Sequence, residues 1–514
     1  MNRKSASIKT AITGVIVQVV AVVFGFITQK LFIQTLGIEY SGVIGTFGNI
    51  LSILTLSDIG VSAAISFHLY GALAANDRER ISALISFYHK ACKIFTAIVI
   101  VGGLIMLPFA QVFAGENSIS DNLYLVFFFY IFIASLQYAF NYRRAILNSD
   151  QRGYVVNTVI IICTTILYIA KIFILKFTGS YYLYAIFTII EKLTENIIIG
   201  HIAKKRYTYI DESTSLSKDI RTDIKKKMYA SVYHNTAAYV VNFTDNVIIA
   251  QIFGAAQVGL YVNYNMILGA IFNLINQVLN SAVASLGNLL ASEGAQKLYR
   301  ITKNIFLLNF WIYSVISLAA YFCLPSFITI WIGSEYLLPE IVVIAIILNF
   351  FIRGLRSTAS NTLSVAGIIY ENRFVPVCEA IVNLTTSIIL AKWIGLAGVF
   401  IGTILSNLVL HLYSFPKYAF KLVLNRSPFE YILIFAKYLT LFILTWAGLA
   451  FLMQFLQFNN PLLEFIIRGL VSVLLPSFVY MLIFFRTEEF QYFFILATKI
   501  PNQIKTKTKL LFKH

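Results

Sequence analysis

With 59% hydrophobic and only 12% charged residues over 514 positions, and a mean hydropathy of +0.78, the chain lies far from soluble domains, in which about a quarter of residues are charged. The net charge of +17 would suit a nucleic-acid partner, but the Lys and Arg residues gather at the ends of apolar runs, which membrane orientation explains without one. The composition points to an all-α membrane protein whose function is carried out within the bilayer.

In chain order, fourteen apolar runs approach or exceed the roughly 20 residues that cross a hydrocarbon core. They cover roughly 11–34, 42–67, 89–112, 123–142, 154–176, 181–203, 230–253, 258–290, 304–325, 341–369, 374–392, 396–414, 431–456 and 463–485. The first follows a basic start, as a secretory signal would, but it is too long for a signal core and lacks a convincing small-residue cleavage site. Thirty-one of the 40 Lys and Arg residues fall on the same side of the membrane as the N-terminus, and Lys30, Lys176 and Lys392 mark the other. The positive-inside rule therefore puts both termini in the cytoplasm. The basic tail at 499–513 fits the same pattern.

The longest polar insert, "KKRYTYIDESTSLSKDIRTDIKKK" at 204–227, follows the sixth span. After it, "QIFGAAQVG" at 251–259 repeats the Gln, Gly and Gly of "QTLGIEYSG" at 34–42 at an offset of 217 residues. The expected organisation is an N-terminal lobe over 1–203, a cytoplasmic linker at 204–228 and a C-terminal lobe over 229–425. The two lobes are pseudo-symmetric with six helices each, and 426–514 adds two further spans and the tail. Parallel repeats of this kind place a substrate path at their interface.

Catalytic constellations are missing from the pattern. There is no glycine-rich phosphate loop, no HExxH and no paired-carboxylate motif, and the outer segments are short, which argues against an enzyme. Cys92, Cys163, Cys323 and Cys378 stand at no metal-like spacing and read as packing residues. What remains are ionisable and amide side chains inside the spans, costly in lipid and therefore candidates for function. Lys171, Lys437, Arg468 and Glu379 lie near span ends, where snorkelling explains them. The sixth span adds Glu191, Lys192 and Glu195, and the seventh, "VNFTDNVII", offers Asn242, Asp245 and Asn246. Asp245, Glu191 and Glu195 suit either coupling to a sodium ion or proton, or neutralising a buried cation. Asp58 sits in the second span.

The eighth span carries Asn273, Asn276, Gln277, Asn280, Ser281, Ser285 and Asn288 as a helical stripe that lines a cavity or bonds neighbouring helices. In the tenth, "LNFFIRGLRSTASN" places Asn349, Arg353, Arg356 or Ser357, Ser360 and Ser364 at spacings of three and four. Splitting this run at "RGLR" leaves a first piece of only 12 residues, about 18 Å long and too short to cross, so one long helix is expected. Its polar face meets water, an acidic partner such as Glu191, Glu195 or Asp245, or an anionic ligand; guanidinium groups pair with phosphate in bidentate geometry.

The stretches "LGIEYSGVIGTFGNILSILTLSDIGVSAAI", "TDNVIIAQIFGAAQVGLYVNYN", "WIGSEYLL" and "GVFIGTILSNL" resemble bacterial polysaccharide flippases of the multidrug/oligosaccharidyl-lipid/polysaccharide exporter superfamily, over roughly 10–425. The resemblance implies two six-helix lobes around a cationic cavity and alternating access in the bacterial cytoplasmic membrane. It implies an undecaprenyl-diphosphate-linked oligosaccharide as substrate, surface or capsular polysaccharide synthesis as the role, and a polysaccharide polymerase and glycosyltransferases as partners beside membrane lipids. In that reading Arg353 and Arg356 hold the diphosphate, while Asn273, Asn276, Gln277, Asn280 and Asn349 line the sugar cavity. No cofactor is expected beyond a coupling ion. The related peptidoglycan-precursor flippases carry arginines on the first span's cavity face, whereas "TAITGVIVQVVAVVFGFITQ" has none. The alternatives are an ion-coupled multidrug exporter of the same superfamily, which would favour acidic walls, and a membrane polysaccharide polymerase, which would be expected to carry a large outer loop.

Overall fold

A computed structural model describes residues 3–495 except 55, 212, 367, 369, 370, 373, 457 and 459, and leaves undescribed the side chains of 3, 4, 56–59, 227, 229–243, 277–294 and 365. The basic tail and the side chains of Asp58, Asn242, Gln277, Asn280, Ser281, Ser285 and Asn288 lie outside the described residues.

Helices form all the regular structure among the described residues. In order they are α1 (Arg3–Leu36), α2 (Ile38–Ile53), α3 (Leu56–Ala74), α4 (Arg78–Met106), α5 (Ala110–Ala114), α6 (Leu123–Ala139), α7 (Asn141–Ser149), α8 (Gly153–Thr178), α9 (Tyr181–Arg206), α10 (Lys218–Phe253) and α11 (Ala255–Trp331). Then follow α12 (Glu340–Ala366), α13 (Val375–Ile394), α14 (Leu396–Val409), a π-helix (Leu410–Val423), α15 (Pro428–Met453) and α16 (Pro461–Phe484). Eleven helical stretches among the described residues are long and apolar enough to cross a membrane, as an all-α membrane protein requires. α9 falls short of that apolarity because it carries Glu191, Lys192 and Glu195.

Helix ends follow local chemistry. Asn122 accepts hydrogen bonds from the Tyr124 and Leu125 amides at 3.0 and 3.4 Å, and Asn460 does the same for Leu462 and Leu463. Gly179 closes α8 in the left-handed conformation at φ +58°. The second expected span differs from the sequence reading: it is broken into α2 and α3 rather than continuous. The twelfth runs on past 414 to Val423 as a π-helix with Pro416 inside, where the missing proline N–H makes the regular α ladder unavailable.

The chain divides into two compact units, Met1–Asn263 and Tyr264–His514. The first includes α10, which packs along α2 and α3, and the first turns of α11. Here the 217-residue repeat has a geometric meaning. Gly37 and Gly254 occupy equivalent positions before α2 and α11 with φ of +95° and +85°, a conformation that favours glycine. One turn on, a Cβ at Gly42 would overlap the Ala255 carbonyl, and one at Gly259 would overlap the Ile38 carbonyl. Ile38 and Ala255 are themselves repeat equivalents, so α2 and α11 cross through reciprocal glycine contacts.

In the second unit, stacked aromatic pairs hold the C-terminal helices. Phe310 of α11 stacks on Tyr438 of α15 at 4.5 Å between ring centroids, and Phe351 of α12 on Phe442 of α15 at 4.0 Å. Tyr480 of α16 lies against the same Phe310. α12 is thereby fixed from one side, which determines the face it leaves accessible.

Candidate functional site

α12 is buried over most of its circumference, and its accessible positions form one stripe. In the first half the stripe is apolar, at Ile341, Ile344 and Leu348. From Asn349 onward it becomes Arg353, Arg356, Ser357, Ser360, Asn361 and Ser364, at the spacing the sequence suggested. Arg353 stands at the centre of this 27-residue helix and is exposed. Its guanidinium carbon lies 4.1 Å from the centroid of the Phe272 ring on α11, within cation–π range. The next residue on α11, Asn273, is exposed, and Asn276 is half-buried. Phe272 thus sets the α12 arginine against the turn of α11 at which the eighth-span stripe begins. The helix can lie close because Gly354, beside Arg353, faces the Tyr313 ring with no room for a Cβ.

Arg356 is placed differently. Its Nη1 donates to Glu379 Oε1 of α13 at 2.6 Å and to Asn407 Oδ1 of α14 at 3.0 Å, and Asn407 Nδ2 donates to Asn349 Oδ1 at 3.2 Å. The Glu379 side chain is 3% accessible and that of Arg356 27%. Arg356 thus has Glu379 as its acidic partner, and Glu379 is a buried ion-pair residue rather than a snorkelling one. It escaped the sequence reading because the contact depends on how α12 and α13 both pack against α14. Nearby, Asn309 of α11 donates to Ser357 at 2.8 Å and to Thr358, and the fully buried His411 shares a 2.6 Å hydrogen bond with Tyr431.

Glu191 and Glu195 belong to a second charged network, in the first unit. Lys171 Nζ donates to Glu191 at 2.6 Å, with both side chains under 5% accessible. Arg144 meets Glu195 at 2.7 Å and Asn196 at 2.8 Å, and Lys192 stands 3.6 and 3.4 Å from the two carboxylates. Lys171 is thus buried and paired, contrary to the snorkelling expected near a span end. Three cations face two carboxylates, which satisfies both acids. Asp245, on α10, is buried beside the equally buried Thr244 and Asn246.

No protein-family model matches the chain, and no curated protein matches it in sequence. Solved structures do. The chain is similar to the lipid II flippase MurJ in an inward closed conformation, with 13% identity and a TM-score of 0.65 over 93% of this chain and 99% of that one. It is also similar to a multidrug resistance MATE family transporter of the MOP superfamily in its inward-facing conformation, with 15% identity and a TM-score of 0.59 over 76% of this chain and 91% of that one. The chain has the fold of these membrane proteins. The outward-facing structure of a MATE family transporter of the MOP superfamily is similar as well, at 14% identity and a TM-score of 0.56 over 80% of this chain and 93% of that one. The all-α membrane fold expected from the sequence is therefore present.

Proposed function

We propose that the protein translocates an undecaprenyl-diphosphate-linked oligosaccharide across the bacterial cytoplasmic membrane by alternating access, for surface or capsular polysaccharide synthesis. The observation that carries this reading is Arg353, a permanent cation exposed halfway along a transmembrane helix, in a stripe that continues in amides and hydroxyls. A diphosphate is recognised by guanidinium groups, and sugars by amide and hydroxyl side chains. Arg353 binds the diphosphate. Arg356 supports it with the guanidinium nitrogens that its Nη1 bonds to Glu379 and Asn407 leave over. Asn273, Asn276 and Asn349 line the sugar path, and the prenyl tail stays in lipid. Asp245, a buried carboxylate on α10, is the group for sodium or proton coupling. Both termini face the cytoplasm, where the glycosyltransferases that build the substrate act, and the polymerase receives the product on the far side.

α1 has no arginine beyond Arg3 at its start, which separates the chain from a peptidoglycan-precursor role. A second reading, ion-coupled export of cationic drugs, is favoured by the shared fold with MATE transporters, but the accessible charge on α12 is positive and repels such cargo. The discriminating experiment reconstitutes the protein in vesicles with labelled lipid-linked oligosaccharide in one leaflet and scores its appearance in the other. Transfer above protein-free vesicles, not inhibited by a lipophilic cation, supports the flippase reading. Transport of the cation with no lipid transfer overturns it.

A further inference from the structure

Away from the α12 stripe, the first unit holds a cavity of about 640 Å³ between α3, α4, the segment after α9 and the start of α10. That volume falls within the roughly 300–1,000 Å³ of small-molecule sites. One end is basic and hydroxylated, lined by Lys90 of α4, Arg221 and Lys225 of α10, and Thr214 and Ser215. The rest is apolar, with Phe87, Ile94 and Ile98 of α4 and Met228 of α10.

Three features give the cavity a direction and a charge. Lys90, Arg221 and Lys225 are exposed, and none makes an ion pair among the described residues. Of the described carboxylates nearby, Asp223 meets His68 of α3 at 2.9 Å, and Asp211 accepts from the Ser213 amide and hydroxyl at 2.9 and 2.6 Å. Lastly, Lys90, Ile94 and Ile98 follow one face of α4 at i, i+4 and i+8, about 12 Å along the helix axis from the first position to the last. The exposed strip continues through Val101 and Ile105, which are 56% and 67% accessible, so the cavity opens onto a surface fit for acyl chains.

A charged end beside an apolar floor that runs into lipid describes an amphiphile with a negative head. We propose that this cavity binds an anionic phospholipid, its phosphate held by Lys90, Arg221 and Lys225 and its acyl chain laid along Ile94 and Ile98. The positive-inside rule accounts for basic residues in this region, but it does not bring cations from two helices about 130 residues apart in sequence around one cavity. Nor does it set them above an apolar floor with no ion pair among the described residues. The site is independent of the transported substrate and rests on no reading of it.

The test uses the full chain in lipid nanodiscs with phosphatidylglycerol bearing a diazirine in its acyl chain, and phosphatidylcholine with the same label as control. After irradiation, labelled peptides are mapped by mass spectrometry. Phosphatidylglycerol should label 86–98 and 224–228 on the order of a hundredfold above phosphatidylcholine, about fivefold for each of the three cations. Each single substitution, Lys90→Gln, Arg221→Gln or Lys225→Gln, should lower that labelling about fivefold, and the triple variant should bring it to the control level. Because all three side chains are exposed, the melting temperature should not move. Equal labelling by the two lipids, or labelling unchanged in the single variants, overturns the site. Complete competition by millimolar inorganic phosphate also overturns it, because the cations would then bind free anions rather than a lipid head.

Discussion

Replacing Arg356 by Met leaves the Glu379 carboxylate 3% accessible and without its cation. Removing one partner of a buried pair costs about 3–5 kcal/mol. Arg356 is itself 27% accessible, so part of its desolvation was never incurred, and the lower end, about 3 kcal/mol, is expected. Glu379→Gln keeps a neutral acceptor for the 2.6 Å bond and loses only its charge assistance, about 1 kcal/mol. With Glu379 already neutral, Arg356→Met no longer strands a charge, so the double variant should cost about 2 kcal/mol rather than the roughly 4 of additive effects, a coupling of about 2 kcal/mol. All four tryptophans, Trp311, Trp331, Trp393 and Trp446, lie in the second unit, so intrinsic fluorescence during heating in detergent reports on the unit that contains the pair. At about 2 °C per kcal/mol, Arg356→Met should lower the transition by about 6 °C and the double variant by about 4 °C. Strict additivity, or an Arg356→Met transition at the wild-type temperature, would refute the buried pair.

Lys171→Met should destabilise the first unit by up to about 3 kcal/mol by leaving the buried Glu191 with only Lys192 at 3.6 Å, with partial recovery on adding Glu191→Gln. The readout is reaction of the buried Cys92 and Cys163 with a thiol dye on heating, and no shift would contradict the pairing. Gly42→Ala forces α2 from α11 and should lower the melting temperature, whereas Gly71→Ala, with nothing within 4 Å of the added carbon, should hold or raise it by up to about 1 kcal/mol in stability; equal effects would contradict the glycine crossing. If Asp245 couples transport to a gradient, translocation in vesicles should respond to an imposed sodium or proton gradient in wild type and not in Asp245→Asn. A gradient response that survives the substitution removes that role.

Much of the architecture is legible in the sequence because apolar length is a strong signal in a membrane protein, and the α12 stripe is legible because helical spacing alone sets which residues share a face. The break between Ile53 and Leu56 carries no proline, and its nearest glycines, Gly48 and Gly60, lie several residues away, so the composition of "LSILTLSDIG" gives no warning. The partners of buried charges are also hidden. Lys171 and Glu379 each sit near a span end, where snorkelling is the ordinary outcome, and only the crossing of neighbouring helices brings Glu191 and Arg356 to them. Lys90, Arg221 and Lys225 read along the chain as orientation signals, and the cavity they share exists only once α4 and α10 are packed.

Translocation by Arg353 variants tests the proposed diphosphate site most directly. In vesicles carrying labelled lipid-linked oligosaccharide, Arg353→Gln should slow transfer about ten- to a hundredfold, the loss expected for one charge-assisted bond to phosphate, and Arg353→Lys should retain an intermediate rate. Membrane levels and melting temperature should stay at wild-type values, since the side chain is exposed. Arg353→Gln transferring the lipid at the wild-type rate would contradict an anionic substrate held on α12.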